Sequence, residues 1–165
     1  MKLSDKETLE YFHRSYTAVD GLWFVKVEEK YGFDTALDID KKVWEVMPKI
    51  QSRFLKNKLK LDNGIKALIE CFKVKLKLDS FKFKTEKLNE HKIKIIIHSC
   101  PWHNIMIKSG RIDLSKKVGS TICNTEYMIW AKEFGDNITF KLEKLICKGQ
   151  GPCIIIFEEI RKSRA

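Results

Sequence analysis

Apolar residues recur three and four positions apart through the N-terminal half of the chain, a spacing that predicts helices. A first helix is predicted to begin at a capping box on Ser4. A second is predicted over residues 34–54, where Pro48 should kink or split it, and a third over residues 62–76. Together they predict a three-helix N-terminal segment within residues 1–78.

After this segment the apolar residues alternate with polar ones, a period of two that predicts strands. The predicted strands cover residues 81–85, 92–97, 137–142 and 154–157, and two helices between them cover residues 101–110 and 114–134. Short turns within each strand pair favour antiparallel pairing. We therefore predict an α+β fold in which residues 79–165 form an antiparallel sheet of about four strands with helices packed on one face. No linker interrupts the chain, so residues 1–165 are predicted to form one domain.

The net charge of +10 can attract nucleic acid or acidic partners. However, lysines alternate with apolar residues along the predicted strands, as on solvated strand faces, and there is no basic-aromatic motif of a nucleic-acid module. We therefore favour a small-molecule ligand over nucleic acid, and a nucleic-acid or protein adaptor that uses the basic surface is our third hypothesis. Heavy use of lysine, glutamate and isoleucine with only two glutamines is typical of a thermophilic or archaeal protein.

No apolar run approaches the roughly 20 residues of a membrane span, and no signal peptide is recognisable, so we expect a cytoplasmic protein. The five cysteines are an odd number, which argues against a disulfide framework. Cys71 lies alone in a predicted helix and is expected to be a small buried apolar residue. Cys147 and Cys153 flank a glycine-rich turn that brings their sulfurs close, and in a reducing compartment this favours zinc.

Cys100 and His103, separated by two residues, stand at a predicted strand-to-helix junction. This spacing lets both side chains reach one ion, so the pair is a usable zinc half-site. Helix N-terminal amides also lower a cysteine pKa, so Cys100 is alternatively a nucleophile with His103 as its base. A third interpretation is a buried cysteine and a surface histidine. Cys123 lies at the border of a helix core face, beside Glu126.

The candidate ligands outnumber the four that a structural zinc takes. They are the sulfur and nitrogen donors Cys100, His103, Cys123, Cys147 and Cys153, and the oxygen donors Glu126 and Glu143. Either the site combines three cysteines with one other ligand, or one of these groups stands outside it as a catalytic residue.

The C-terminal half resembles the 4-vinyl reductase-type ligand-binding domain, in which a helix with Cys123 precedes a strand with Glu143, then Cys147, a glycine-rich turn and Cys153. The resemblance implies that the three cysteines hold a structural zinc and that a glutamate is the fourth ligand. Glu143 is one residue further from Cys147 than in the family pattern, so a residue of the Cys100–His103 motif is an alternative fourth ligand.

Nearly the whole chain also resembles uncharacterised prokaryotic relatives of the L-2-amino-thiazoline-4-carboxylate hydrolases. Residues 19–24, 100–103, 123–126 and 147–153 carry this resemblance. Gln150 stands where the group often has an acid, which is a departure from its pattern. Both resemblances imply an α+β fold that forms a homodimer through its helices.

These resemblances lead us to predict a small-molecule-binding domain, a sensor or carrier, with a structural zinc and a partly apolar ligand. The predicted pocket combines four aromatic walls with two acids: Asp20, Trp23, Trp102, Glu126, Tyr127 and Trp130. The alternative is a small hydrolase that cleaves a C–N bond of a cyclic amidine- or amide-like substrate, using zinc or the pair Cys100 and His103.

Overall fold

The computed structural model describes residues 2–160, which form two compact units. We call residues 2–42 the N-terminal unit and residues 43–160 the C-terminal unit, so the helical segment predicted over residues 1–78 is divided between them. The helices in the described residues are α1 (Asp5–Tyr31), α2 (Phe33–Trp44), α3 (Met47–Leu59), α4 (Ile65–Leu78), α5 (Pro101–Lys108) and α6 (Ile112–Phe134). The strands are β1 (Lys82–Asn89), β2 (Lys92–Ser99), β3 (Ile138–Lys144) and β4 (Cys153–Glu159), and a 3-10 turn covers Ile146–Lys148. Between residues 2 and 160, no helix combines the length and apolarity required to cross a membrane.

Residues 2–78 contain four helices, where the apolar pattern predicted three. The second predicted helix is divided near Pro48. Helix α2 ends at Trp44, and α3 begins at Met47 with Pro48 in its first turn. Proline is tolerated in a first helical turn, where its missing N–H would have no intrahelical partner. The prediction that Pro48 kinks or splits this helix is therefore confirmed as a split, and the split gives four helices within the predicted helical segment.

In the N-terminal unit, the capping box predicted at Ser4 is present. The Glu7 N–H donates to Ser4 Oγ at 3.3 Å, and the Ser4 N–H donates to Glu7 Oε2 at 2.8 Å. Gly32 caps the other end of α1 with a φ of 85°, which favours a residue without a side chain. Phe24 meets Phe33 edge-to-face, with ring centroids 6.0 Å apart, and this contact joins α1 to α2.

The C-terminal unit is built on one antiparallel sheet with the strand order β1-β2-β4-β3. β2 pairs with β1 on one side and with β4 on the other, and β3 closes the far edge on β4. On the inner face, Ile95 lies opposite Ile155 and Ile97 opposite Cys153, and all four side chains are buried. The predicted α+β fold with a four-stranded antiparallel sheet is thereby confirmed.

Helices α4 and α6 pack on the sheet, and aromatic side chains fill the centre of the core. Phe72 meets Trp130 edge-to-face at 5.2 Å and Phe157 at 5.5 Å, so one side chain joins α4, α6 and β4. Trp130 also stacks on Phe134, with ring centroids 6.0 Å apart. This packing sets the positions of the residues on α4, α6 and the start of β4, which form the candidate site.

Candidate functional site

Four cysteines of the C-terminal unit come together from four different elements. Cys100 precedes α5, Cys123 lies on α6, Cys147 lies in the 3-10 turn, and Cys153 begins β4. Burial raises the pKa of Cys123 well above its ordinary value, and the charges of Cys100, Glu126, Cys153 and Cys147 raise it further. Each of these groups is therefore close enough to Cys123 to influence its ionisation. We call the four sulfurs the thiol cluster, and all of them are free thiols.

A glycine on α6 lets the 3-10 turn approach the helix. A Cβ atom at Gly119 would lie 2.8 Å from Cys147 Sγ, which is closer than real Cβ contacts come. Gly119 is one helical turn before Cys123, so Cys147 lies against the same part of α6. The missing side chain at Gly119 is thus what allows the thiols of the turn and the helix to lie near each other.

Backbone amides also face the sulfurs of the cluster. The Ile146 N–H donates to Cys153 Sγ at 3.2 Å. The amides of His103 and Trp102 favour the thiolate of Cys100, but burial has the larger effect and raises the pKa of Cys100 to about 11. Cys100 is therefore a protonated thiol at neutral pH unless a positive charge joins it.

The three residues predicted as a possible fourth zinc ligand lie in different surroundings. Glu143 lies on β3 with its Oε1 3.1 Å from Lys141 Nζ. The His103 ring faces the first turn of α6, where its Nδ1 lies 2.8 Å from Ser115 Oγ. Of the candidates, Cys100 is the one whose charge acts on both Cys123 and Tyr127 inside the cluster.

The donor set of the thiol cluster fits zinc, because buried thiolates with amide donors are ligands that zinc prefers. The room that Gly119 leaves for Cys147 also fits a site that gathers sulfurs from separate elements. Among residues 2–160, however, no group of three or more histidine, cysteine, aspartate or glutamate side chains is already arranged to hold a metal ion. The residue types and their burial fit the metal, and the positions of the sulfurs are those of free thiols.

A buried group of charges lies beside the thiol cluster. Lys75 on α4 is only 3% exposed, and its Nζ lies 2.5 Å from Glu126 Oε1 and 3.4 Å from Asp79 Oδ2. The same Nζ lies over the rings of Phe81 and Phe72, at 5.0 and 5.7 Å from their centroids. We call Lys75, Asp79 and Glu126 the ion-pair triad.

The ion-pair triad and the thiol cluster influence each other electrostatically. Burial raises the pKa of Glu126, and the charge of Lys75 opposes that rise. The Glu126 carboxylate in turn raises the pKa of Cys123, and Lys75 lowers the pKa of Cys100. The interior of the C-terminal unit therefore contains one connected set of ionisable groups between α4, α6 and the strand ends.

Sequence reasoning placed Glu126 and Cys123 on this part of α6, but it did not identify Lys75 or Asp79. Lys75 follows Phe72 by three residues and Leu68 by seven, so it continues the buried apolar stripe of α4. A lysine within such a stripe is the signal that would have identified it, because an ionised group on a buried face requires a partner.

The residues predicted to line a pocket lie in different environments. Trp130 is fully buried in the core and Tyr127 is nearly so, with its ring edge against Phe72 at 5.6 Å. Trp102 is half-buried and meets Trp44 edge-to-face at 6.2 Å. Asp20 and Trp23 belong to the N-terminal unit, where Trp23 is exposed and burial raises the pKa of Asp20 to about 6.

Two open grooves of the C-terminal unit lie away from all of these pocket candidates. One has a volume of about 690 Å³ and is lined by the last turns of α3 and by the loop that follows it, including Arg53, Lys56 and Lys60. The other, of about 400 Å³, is lined mainly by residues at the start of α4 and by His91 and Glu159. None of the aromatic residues of the predicted pocket lines either groove, so neither matches that pocket.

Comparison with known proteins assigns the chain to a family. No curated protein matches the chain. The model of a family of unknown function, DUF6125, matches residues 2–150. The matched residues include Cys100, Cys123, Cys147 and the whole ion-pair triad, and Cys153 follows them. Because the match covers most of its length, the chain belongs to the DUF6125 family of unknown function.

Proposed function

We propose that the protein is a cytoplasmic small-molecule-binding domain, a sensor or carrier of the 4-vinyl reductase type, whose C-terminal unit is held by a structural zinc ion. The observation that carries the zinc proposal is the convergence of Cys100, Cys123, Cys147 and Cys153 from four elements. The ligand-binding role rests on the resemblance of the cysteine pattern to that domain. The free state of all five cysteines fits a reducing compartment.

The chemistry of the cluster favours a structural role for the metal over a catalytic one. Four cysteine ligands complete the tetrahedral coordination of zinc and leave no position for a reacting water. Bound zinc would supply the positive charge that stabilises buried thiolates. Burial raises the pKa of each of the four thiols, so binding has to release protons and should strengthen as the pH rises.

The alternative hydrolase function draws less support from the same residues. A nucleophilic Cys100 requires a lowered pKa and a base within reach. Its pKa is instead raised to about 11, and His103 Nδ1 lies beside Ser115 Oγ. Hydrolysis by Cys100 and His103 remains a prediction from the sequence.

Zinc content provides the test, with two serine variants as a matched pair. We expect one zinc per chain in the purified wild-type protein, measured by inductively coupled plasma mass spectrometry. Cys147→Ser should lose it, because Cys147 belongs to the thiol cluster. Cys71→Ser is the control, since Cys71 is equally free and buried but lies on α4 within the apolar core. A wild-type chain that binds no zinc when the ion is supplied, or a Cys147→Ser variant that keeps it, would show that the zinc proposal is wrong.

A further inference from the structure

Helix α3 of the C-terminal unit carries apolar side chains on its outer side as well as on its inner side. The inner side has three buried residues, which are Pro48, Ser52 and Leu55. The outer side, counted from the N-cap residue, has three large apolar residues that are 51–58% exposed and four positions apart: Val46, Ile50 and Phe54. We call these three residues the α3 ridge. Adjoining exposed apolar residues, unlike single scattered ones, mark an interaction site.

Basic residues border the α3 ridge on both sides. Between Val46 and Leu61 the chain has no acidic residue and five basic ones: Lys49, Arg53, Lys56, Lys58 and Lys60. At about 100° per residue, Lys49 and Lys60 fall along one border of the ridge and Lys58 along the other. The Nζ of Lys58 lies 5.8 Å from the centroid of the Phe54 ring, so this lysine runs beside the ridge.

Three of these five cations remain available to a partner. Arg53 already pairs with Glu133, with its Nε 2.7 Å from Glu133 Oε2, and Lys56 Nζ donates to the Glu133 carbonyl oxygen at 2.6 Å. Within residues 2–160, no carboxylate forms an ion pair with the remaining three, Lys49, Lys58 and Lys60. The ridge is therefore an apolar surface edged by positive charge that the described part of the chain does not neutralise.

The combination of exposed apolar side chains and bordering cations matches a phospholipid surface. Helices that bind at a membrane surface place phenylalanine and aliphatic residues in the headgroup region and lysines beside anionic lipids. We propose that the α3 ridge attaches the protein to the surface of an anionic bilayer. Ile50 and Phe54 enter the headgroup region, and the bordering lysines extend along the ridge so that their ammonium groups meet the lipid phosphates and carboxylates.

The size and shape of the ridge favour a lipid surface over a protein. Three half-exposed side chains offer a few hundred Å² of apolar surface, whereas a standard protein interface takes roughly 800 Å² from each partner. The outer side of a single helix is also convex, and a bilayer requires no matching groove. A nucleic acid would contact the lysines through its phosphates but leave Val46 and Ile50 uncovered.

Helix α1 provides an internal comparison, because it exposes apolar residues without the positive charge. Phe12 and Trp23 are 64% and 61% exposed, but α1 has six acidic residues and four basic ones over Asp5–Tyr31. An excess of acidic residues opposes binding to anionic lipid. We therefore expect attachment through α3 and none through α1. The proposal does not depend on zinc or on a small-molecule ligand.

Co-sedimentation with vesicles tests the apolar part of the ridge. The vesicles are phosphatidylcholine with about 30% phosphatidylserine, at low ionic strength. We expect the wild-type chain to bind, and Phe54→Ser to lower the partition coefficient about tenfold because a buried phenylalanine is lost. Phe12→Ser is the matched control, since Phe12 is similarly exposed (64% against 58%), and it should bind as the wild type does.

Circular dichroism shows whether both phenylalanine variants keep their helices. A wild-type chain that stays in the supernatant would overturn the proposal. So would equal losses of binding by the two folded variants, because they would mean that α3 has no special part in the attachment.

The charged border is tested with two double variants that remove the same net charge. Lys58→Gln with Lys60→Gln should lower the partition coefficient about tenfold or more. Lys82→Gln with Lys84→Gln, two exposed lysines of β1, should lower it much less. Vesicles of pure phosphatidylcholine should bind the wild type at least about tenfold more weakly.

Three outcomes of the charge test would contradict attachment through the α3 ridge. Equal losses in the two double variants would mean that net charge alone acts. Equal binding to neutral vesicles would mean that the lysines do not contribute. Tighter binding to a single-stranded DNA oligonucleotide than to the vesicles, lost with Lys58→Gln and Lys60→Gln, would assign the surface to nucleic acid instead.

Discussion

The two units of the protein differ in what acts on the pKa of a buried acid. In the C-terminal unit, Glu126 is buried beside Lys75, so an opposing charge counters the rise in its pKa. In the N-terminal unit, Asp20 is partly buried, and burial alone acts on its carboxyl and raises its pKa to about 6. The comparison shows that a core of several layers can place a positive charge beside a buried acid. In the unit of two helices, no such charge opposes the effect of burial, which favours the protonated form of Asp20.

Apolar surface differs between the units in the same direction. In the C-terminal unit, α4 and α6 pack against the sheet and against neighbouring helices, and side chains such as Phe72 and Trp130 are fully buried. The N-terminal unit leaves Phe12, Val19 and Trp23 of α1 exposed. Two helices cover only part of each other's apolar surface, so a two-helix unit leaves more apolar side chains exposed than a helix packed on a sheet.

The largest expected effect comes from removing the cation of the ion-pair triad. Lys75→Ala should destabilise the protein by about 3–5 kcal/mol, because Glu126 and Asp79 would be left as buried charges without a counter-ion. Urea unfolding measures this change. Lys73→Ala on the same helix is the control, since Lys73 pairs with Glu70 at the surface and its loss should cost about 0.5 kcal/mol or less. A Lys75→Ala variant as stable as Lys73→Ala would show that the triad does not stabilise the C-terminal unit.

The buried acid of the N-terminal unit should give a smaller effect that depends on pH. The pKa of Asp20 is raised from 3.8 to about 6, so its ionisation costs the folded state stability as the pH rises between those values. Asp20→Asn should therefore stabilise the protein by on the order of 2 kcal/mol at about pH 7.5 and by nearly nothing at about pH 3.5. Urea unfolding at the two pH values measures the difference. An equal gain at both would mean that ionisation of Asp20 is not the cause.

Alanine at two helical glycines should give the smallest effects, and the effects should have opposite signs. Gly119→Ala should cost about 1–2 kcal/mol, because the new Cβ meets Cys147 Sγ and the clash outweighs the better helix propensity. Gly21→Ala in α1 should add about 0.5–1 kcal/mol, since its Cβ would meet nothing within 4 Å. Thermal unfolding of both variants measures the contrast. Two stabilised variants would show that Gly119 does not make room for the 3-10 turn.

The apolar period was sufficient to predict the helices and strands whose apolar side is buried in the core. The predicted helix over residues 114–134 is α6, and the strand predicted over residues 92–97 lies within β2. Periodicity was insufficient at Trp130, predicted to line a pocket and found in the core, because an aromatic residue at a stripe position is compatible with both. The same ambiguity affects α1, whose apolar positions have one spacing whether neighbours cover them or not.

The cysteines illustrate which part of the candidate site the sequence could predict. The short turn between Cys147 and Cys153 limits how far apart their sulfurs can lie, so local spacing was informative there. Lys75 lies about 50 residues before Glu126, and no local pattern relates the two. Their contact depends on how α4 packs against α6.

The sequence by itself determined the order of the helices and strands, the antiparallel α+β class and the turn that carries two cysteines, because neighbours along the chain decide these features through propensity and period. Only the tertiary structure decided that Lys75 meets Glu126, that Cys147 lies against Gly119, and that Phe12 and Trp23 of α1 are exposed. Each of these depends on distances between residues far apart in the chain, and such distances are set by the packing of whole helices and strands.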